Sequence, residues 1–449
     1  MMNSIGKNIF KRKIYDDLLR WKNNDSGKNA LLIEGVRRVG KSTIVEQFAK
    51  NEFKSYLIVD FMNVNNAVKE LFYKYSDDLD RLFLLLSGYY NVELFEHESL
   101  IVFDEVQEFP RAHQLVKYFV QYGKYPIVET GSLISLKMKL NMTLPSEIEP
   151  VPMNPMDFEE FMWATGKGIL MELAKDSFAN MEPLDESMHS VLMENFQIYM
   201  ITGGMPQSVA ALLETNDLSK VEKAKKMILE LYRNDIWRGN DGILYDLFNS
   251  IPSMLNRVNK KFSPSIVKKG TKQNRYTKRI SWLCGSRMVN PCYDCVNPDP
   301  AISQYEDRSV LKLYMVDTGL LLTMMLENNI ADRKRLYRAI LDGKLSMNRG
   351  MLFENMVAQM LVSSGHRLDF CSFESDESDR PQEIDFLYAE GRQIVVVEAK
   401  SSRIKPHKSL DRFIKKYENQ IGRRYIVCTQ NLRVESEIII LPAYMAGLI

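Results

Sequence analysis

The residues Gly35-Val36-Arg37-Arg38-Val39-Gly40-Lys41-Ser42 satisfy the spacing G-x-x-x-x-G-K-[ST], between an apolar run, LLIE, and a helical stretch, STIVEQFAK. Each residue type has a physical task. The glycines let backbone N–H groups wrap phosphates, the helix N-terminus adds partial positive charge, Lys41 reaches the β and γ phosphates, and the Ser42 hydroxyl binds Mg²⁺. Gly35 through Ser42, with Thr43 beside them, are thus the expected contacts of a nucleotide such as ATP. Leu100-Ile101-Val102-Phe103-Asp104-Glu105 is a short apolar run ending in two carboxylates, 63 residues after Lys41 counting to Asp104. A buried strand would deliver both to the carboxyl edge of a sheet, where Asp104 holds Mg²⁺ through water and Glu105 polarises the attacking water. The next apolar run, PIVETGS, offers Thr130 or Ser132 to the γ-phosphate; its bland reading is a Thr-Gly-Ser turn.

A second constellation lies near the C-terminus. Glu383-Ile384-Asp385 and Glu398-Ala399-Lys400 sit on two β-runs that meet at Glu390-Gly391. A two-residue turn there puts 385 opposite 396 and 383 opposite 398, so Glu383, Asp385, Glu398 and Lys400 share one face. Three converging carboxylates point to Mg²⁺ or Mn²⁺ held by Asp385 and Glu398, with Lys400 orienting water or steadying a phosphate. His407 follows closely enough to touch that phosphate. The plain alternative is the solvated charged face of a hairpin.

Ten basic residues fall between Arg257 and Arg287 with no Asp or Glu among them. The segment reads as a helix-turn-helix with Lys272 to Trp282 as its recognition helix. Lys268, Lys269, Lys272, Arg275, Lys278 and Arg279 would neutralise phosphates, and Gln273, Asn274 and Arg275 are able to reach bases. Basic charge without an aromatic stacking platform suits a duplex better than a single strand. A surface that docks acidic parts of the chain is the alternative. Cys292-Tyr293-Asp294-Cys295 is a lone C-x2-C; even with Cys284 it lacks a fourth zinc ligand, so core or loop thiols are expected. His97, His113, His189 and His366 show no ligand spacing, and the 25 Met are core filling.

These residues need elements to hold them. A length of 449 predicts about three domains at roughly 150 residues each, and 45 % hydrophobic content with 26 % charged residues is that of a globular chain. Fifty-nine Lys and Arg against 58 Asp and Glu give +1, so attraction to nucleic acid must be local. No signal peptide, bilayer-spanning run or disulfide framework is apparent, which leads to an expected cytoplasmic location without membrane association. Runs at 31 to 35, 55 to 61, 99 to 105 and 126 to 131 alternate with amphipathic stretches, predicting a parallel sheet covered by helices. From Pro155 to about Trp237 the pattern is helical. From about Asn348 a helix, two β-runs, a further helix and RRYIVC form a second α/β unit.

The motifs GVRRVGKS, VFDEVQE, TGSL, PMDFEEFMWATG, YMITGGMPQSV, LYRNDIW, KLYMVDTGLL, LFENMVAQML, EIDFL and EAKSS together resemble prokaryotic AAA-type ATP-binding proteins of the archaeal-ATPase-like group. The resemblance runs nearly the whole chain. It implies an α/β, P-loop AAA-type core over residues 1–165, a helical lid at 166–240, a basic winged-helix-like region at 241–325, and a PD-(D/E)XK, restriction-endonuclease-like domain at 326–449. In that nuclease superfamily an acidic residue matching Glu354 helps the metal site. Similar proteins often carry a basic residue before the strand leading to P-[LM]-[DS]-F-E-E-F, where this chain reads Leu144-Pro145-Ser146-Glu147-Ile148-Glu149. Lys137, Lys139 or Arg233 could substitute, with spacing selecting none of them, and absence of an arginine finger would mean slow turnover or switch-like ATP binding. The expected function is a Mg-ATP-dependent ATPase, with Lys41 and Glu105 catalytic, coupled to nucleic-acid binding or metal-dependent cleavage through Lys400. The rivals are an ATP-gated binder that does not cut and an ATPase acting on a protein partner, with homo-oligomerisation open.

Overall fold

A computed structural model describes residues 9–131, 146–239, 241–327, 330–342, 350–375, 378–401 and 408–449. The chain forms two units, residues 1–154 with 281–287 and residues 155–280 with 288–449.

In the first unit five strands form an all-parallel sheet in the order β2-β3-β4-β1-β5. They are β1 (Ala30–Glu34), β2 (Ser55–Asp60), β3 (Ser99–Asp104), β4 (Ile127–Gly131) and β5 (Ile148–Pro152). The first four coincide with the expected apolar runs. Every residue of β1, β3 and β4 is buried, as a strand covered on both faces must be. β5 reads IEPVP and buries only Ile148; two prolines, which donate nothing to a ladder, suit it to the sheet edge. Four helices follow: α2 (Lys41–Glu52), α3 (Asn66–Lys74), α4 (Leu79–Tyr90) and α5 (Pro110–Tyr122), with α1 (Ile14–Asn24) preceding the sheet. Phe61, Phe72, Phe103, Phe109 and Phe119 fill one side of the sheet, Phe72 meeting Phe103 edge to face at 5.8 Å. Such pairs add about 0.5 to 1.5 kcal/mol to the burial of the rings.

The second unit begins with helices Phe158–Ala164, Gly168–Asn180, Glu186–Thr202, Pro206–Thr215, Leu218–Arg238 and Gly242–Leu255. Asp157, Asp185, Asp217 and Asp241 cap four of them, each side chain accepting from a backbone N–H of the first turn. An eight-stranded mixed sheet follows in the order β12-β13-β11-β10-β9-β8-β6-β7. Its strands are β6 (Val289–Cys295), β7 (Glu306–Met315), β8 (Leu368–Ser375), β9 (Ser378–Glu390), β10 (Gln393–Ala399), β11 (Ile421–Cys428), β12 (Arg433–Glu435) and β13 (Ile438–Pro442). The β6–β7 hairpin joins the rest through parallel pairing of β6 with β8. A boundary at 325/326 therefore falls inside a group of strands that share one sheet. Helix Gly350–Ser363 is buried along most of its length. Among the described residues no helix is long and apolar enough to cross a membrane.

Candidate functional site

The parallel topology brings the carboxyl ends of β1, β3 and β4 together, because β4 lies between the other two. β1 ends at Glu34 and the chain turns through Gly35–Gly40 into α2. Val36 and Val39 are buried and pin the loop to the core, while Ser42 stands at the surface. Gly35 has no room for a side chain: a Cβ would meet Met153 O at 2.5 Å and Val39 Cγ1 at 2.9 Å. Arg12, buried, donates to Val39 O at 3.0 Å and to Asn154 O at 2.6 Å, bracing the loop from a residue that nothing in the motif marks. Arg287 pairs with Glu34, one residue before the loop, at 3.0 Å.

Lys41 opens α2. Its Nζ donates to Gly35 O at 2.9 Å and lies 4.0 Å from Glu105 Oε1. Ser42 Oγ donates to Asp104 Oδ1 at 2.9 Å, and Thr130 Oγ1 donates to the same oxygen. The Glu105 amide donates to Thr130 Oγ1 at 3.1 Å, and Gln107 Nε2 donates to Glu105 Oε2 at 2.5 Å. Burial raises the Asp104 carboxyl above its ordinary range; Thr130 and Ser42 pull it down, and Glu105 and Asp60 push it up. An oxygen-only set of one hydroxyl and one crowded, buried carboxylate suits Mg²⁺, which prefers few protein ligands and keeps several waters. Ser42 and Asp104 would hold it. Thr130 therefore stands in the cluster, whereas Ser132, Lys137, Lys139 and His407 lie outside the described residues. Arg233 is engaged elsewhere, its guanidinium held by both Glu327 oxygens at 2.7 and 2.6 Å.

The C-terminal carboxylates meet on the second sheet with a register different from the expected one. Gln393 pairs with Glu390 and Val397 with Phe386, so the turn is Gly391-Arg392. The slip is two residues, so the same side chains still share a face, but the pairing continued one step sets Asp385 opposite Glu398. Asp385 Oδ2 accepts from the Ala399 amide at 2.9 Å. Glu398, buried, accepts from Lys400 Nζ at 3.1 Å and from Ser409 Oγ at 3.3 Å. Burial and then the neighbouring Asp385 raise Glu398, while Lys400 and the hydrogen bond from Glu398 overcome burial and hold Asp385 low. Glu354 is engaged differently: Tyr314 donates to Oε1 at 2.5 Å, Lys260 pairs with Oε2, and Lys312 Nζ is 3.7 Å away. Among the described residues no three His, Cys, Asp or Glu side chains are arranged to hold a metal ion. The expected trio of Glu354, Asp385 and Glu398 thus does not fit a divalent ion as the side chains stand. Lys312 and Tyr314 are the residues that spacing alone passed over; their only signal was membership of the KLYMVDTGLL motif.

The basic segment separates into two groups. Lys268, Lys269, Lys272, Arg275 and Lys278 are exposed, as is Arg257. Lys260, Lys261, Arg279 and Arg287 are instead tied to Glu354, Asp294, Asp241 and Glu34. Helix Asn274–Gly285 buries Tyr276, Ile280 and Leu283 on one face, which leaves Arg275 and Lys278 on the other. Gln273 donates to Ser309 O and is taken up by the fold. Cys292 and Cys295 are buried on β6, and burial raises both thiols, Cys295 to about 11. They are neutral packing groups, as expected of the lone pair.

Residues 27–162 match a family described as an AAA domain, and this part of the chain has the parallel-sheet fold of a P-loop core. Residues 193–331 and 349–445 match two families described as domains of unknown function. No curated protein matches the chain. Among solved structures, the Walker-type ATPase of Pyrococcus abyssi is similar at 16 % identity and a TM-score of 0.42, covering 71 % of this chain and 97 % of that one. A STAND protein with a tetratricopeptide repeat sensor from Pyrococcus horikoshii is similar at 12 % identity and a TM-score of 0.28, covering 80 % of this chain and 49 % of that one. The Drosophila ORC bound to DNA is similar at 14 % identity and a TM-score of 0.25, covering 70 % of this chain and 95 % of that one.

Proposed function

We propose that the chain is a Mg-ATP hydrolase that couples its nucleotide cycle to nucleic-acid binding by the exposed cations between residues 257 and 278. The observation that carries the first half is the convergence of Lys41, Ser42, Asp104, Glu105 and Thr130 at one sheet edge. In this reading the loop amides and Lys41 bind the phosphates. Bound Mg²⁺ supplies charge neutralisation at the outer phosphates. Glu105, steadied by Gln107, orients and deprotonates the attacking water, and Thr130 keeps the Asp104 carboxylate and the Glu105 backbone in register. Lys41→Ala should abolish ATP binding by calorimetry. Glu105→Gln should keep binding and slow phosphate release by about 10² to 10⁴; unchanged turnover in that variant would move the base elsewhere.

For the C-terminal domain the reading supported best is binding without cutting. Glu354 and Glu398 are engaged by Lys260 and Lys400, and Asp385 by the Ala399 amide, so no hydrolytic step is assigned to Asp385, Glu398 or Lys400.

A further inference from the structure

The second sheet and the loop after helix Gly242–Leu255 bring together an unusual number of opposite charges. Lys312, on β7, is wholly buried, yet its ammonium lies 2.5 Å from Glu383 and 3.7 Å from Glu354. Lys260 and Lys261 reach in from the loop that precedes Phe262, whose amide is fixed to Leu311 O at 2.7 Å. Lys260 pairs with Glu354, and Lys261 lies 3.6 Å from Asp294, 4.0 Å from Glu383 and 2.6 Å from Ser372 Oγ. Lys400 completes the set on Glu398. Glu354, Glu383, Glu398 and Asp294 thus each have an ammonium within ion-pair distance.

We propose that Lys260, Lys261, Lys312 and Lys400 are built-in countercations that take the place of a divalent metal in this cluster, joining the basic loop to the sheet. The reason is energetic. A divalent ion drawn to Glu354 and Asp385 would have to displace Lys260 and crowd Lys312, and a buried ammonium deprived of its carboxylates is strongly disfavoured. Four lysines already offset the like charge that made a metal attractive on sequence grounds, so the cluster is an ionic joint. Because Lys260 and Lys261 head the segment that carries the exposed cations, the joint fixes the root of that segment. The inference stands apart from the nucleotide site and does not depend on hydrolysis there.

The test is Mn²⁺ uptake by the full, nucleotide-free chain, followed by electron paramagnetic resonance of the free ion. Wild type and Asp385→Asn should give the same titration. Lys260→Gln should gain a site at least about tenfold tighter than any wild-type uptake, as expected when one nearby positive charge is removed. Glu354→Gln placed in that chain should abolish the gain, and Lys260→Arg, which keeps the charge, should behave as wild type. Stoichiometric wild-type uptake that Asp385→Asn removes would overturn the proposal. So would a folded Lys260→Gln protein that gains nothing. Should Lys260→Gln not fold, the comparison of wild type with Asp385→Asn still decides.

Discussion

Asp369 on β8 is buried, and its Oδ1 accepts no hydrogen bond from the described residues. Burial raises its carboxyl to about 7 from an ordinary 3.8, with Arg367 pulling down and Glu306 pushing up. The folded chain therefore holds a proton that the unfolded chain releases. The stability gained this way is complete below the unfolded value and is lost as pH rises through about 7. Asp369→Asn cannot ionise, so its melting temperature relative to wild type should climb between about pH 4 and about pH 8. A constant difference across that range would show that Asp369 does not titrate there. At this same scale, motif residues were legible because phosphate chemistry demands particular side chains at particular spacing. Arg12 and Lys312 were not, because a single basic residue far away in sequence carries no mark of the carbonyl or carboxylate it will meet.

Helices and strands were largely legible from periodicity, as β1 to β4 and helix Gly350–Ser363 illustrate. Their junctions were less so. Helix Glu186–Thr202 ends in the Gly203-Gly204 break, where the Gly204 amide donates to Asp317 Oδ2 at 2.6 Å and its carbonyl accepts from Met156 at 2.7 Å. The sequence marks an interruption, but only the packing explains its composition. A Cβ on Gly204 would overlap Met156 O, which is backbone and has no rotamer to change. Gly204→Ala should cost about 2 to 3 kcal/mol in denaturant unfolding; an unchanged midpoint would mean that the segment around Met156 yields. The β9–β10 turn teaches the complementary point. The turn lies at Gly391-Arg392 rather than Glu390-Gly391, one residue on, which slips the register by two: harmless to which face each side chain takes and decisive for which carboxylates oppose each other.

Over the whole molecule the charge sums to +1, and the tertiary structure decides which charges are free to act. Lys268, Lys269 and Lys272 are exposed, so reversing all three to Glu should leave folding intact and reduce the salt slope of duplex-DNA binding by at least about 3. An identical slope would place the phosphate contacts elsewhere. Reversing Arg279 should instead damage stability, since it pairs with Asp241 at the start of helix Gly242–Leu255. The amino-acid sequence by itself determined the phosphate loop, the acidic strand end and the α/β class, because local spacing and apolar periodicity are properties of neighbouring residues. Only the tertiary structure decided that four of ten clustered cations are committed to carboxylates and that lysines surround the C-terminal acids. The four committed cations meet partners 33 to 253 residues away along the chain, and their meeting depends on sheet order and register rather than on any local pattern.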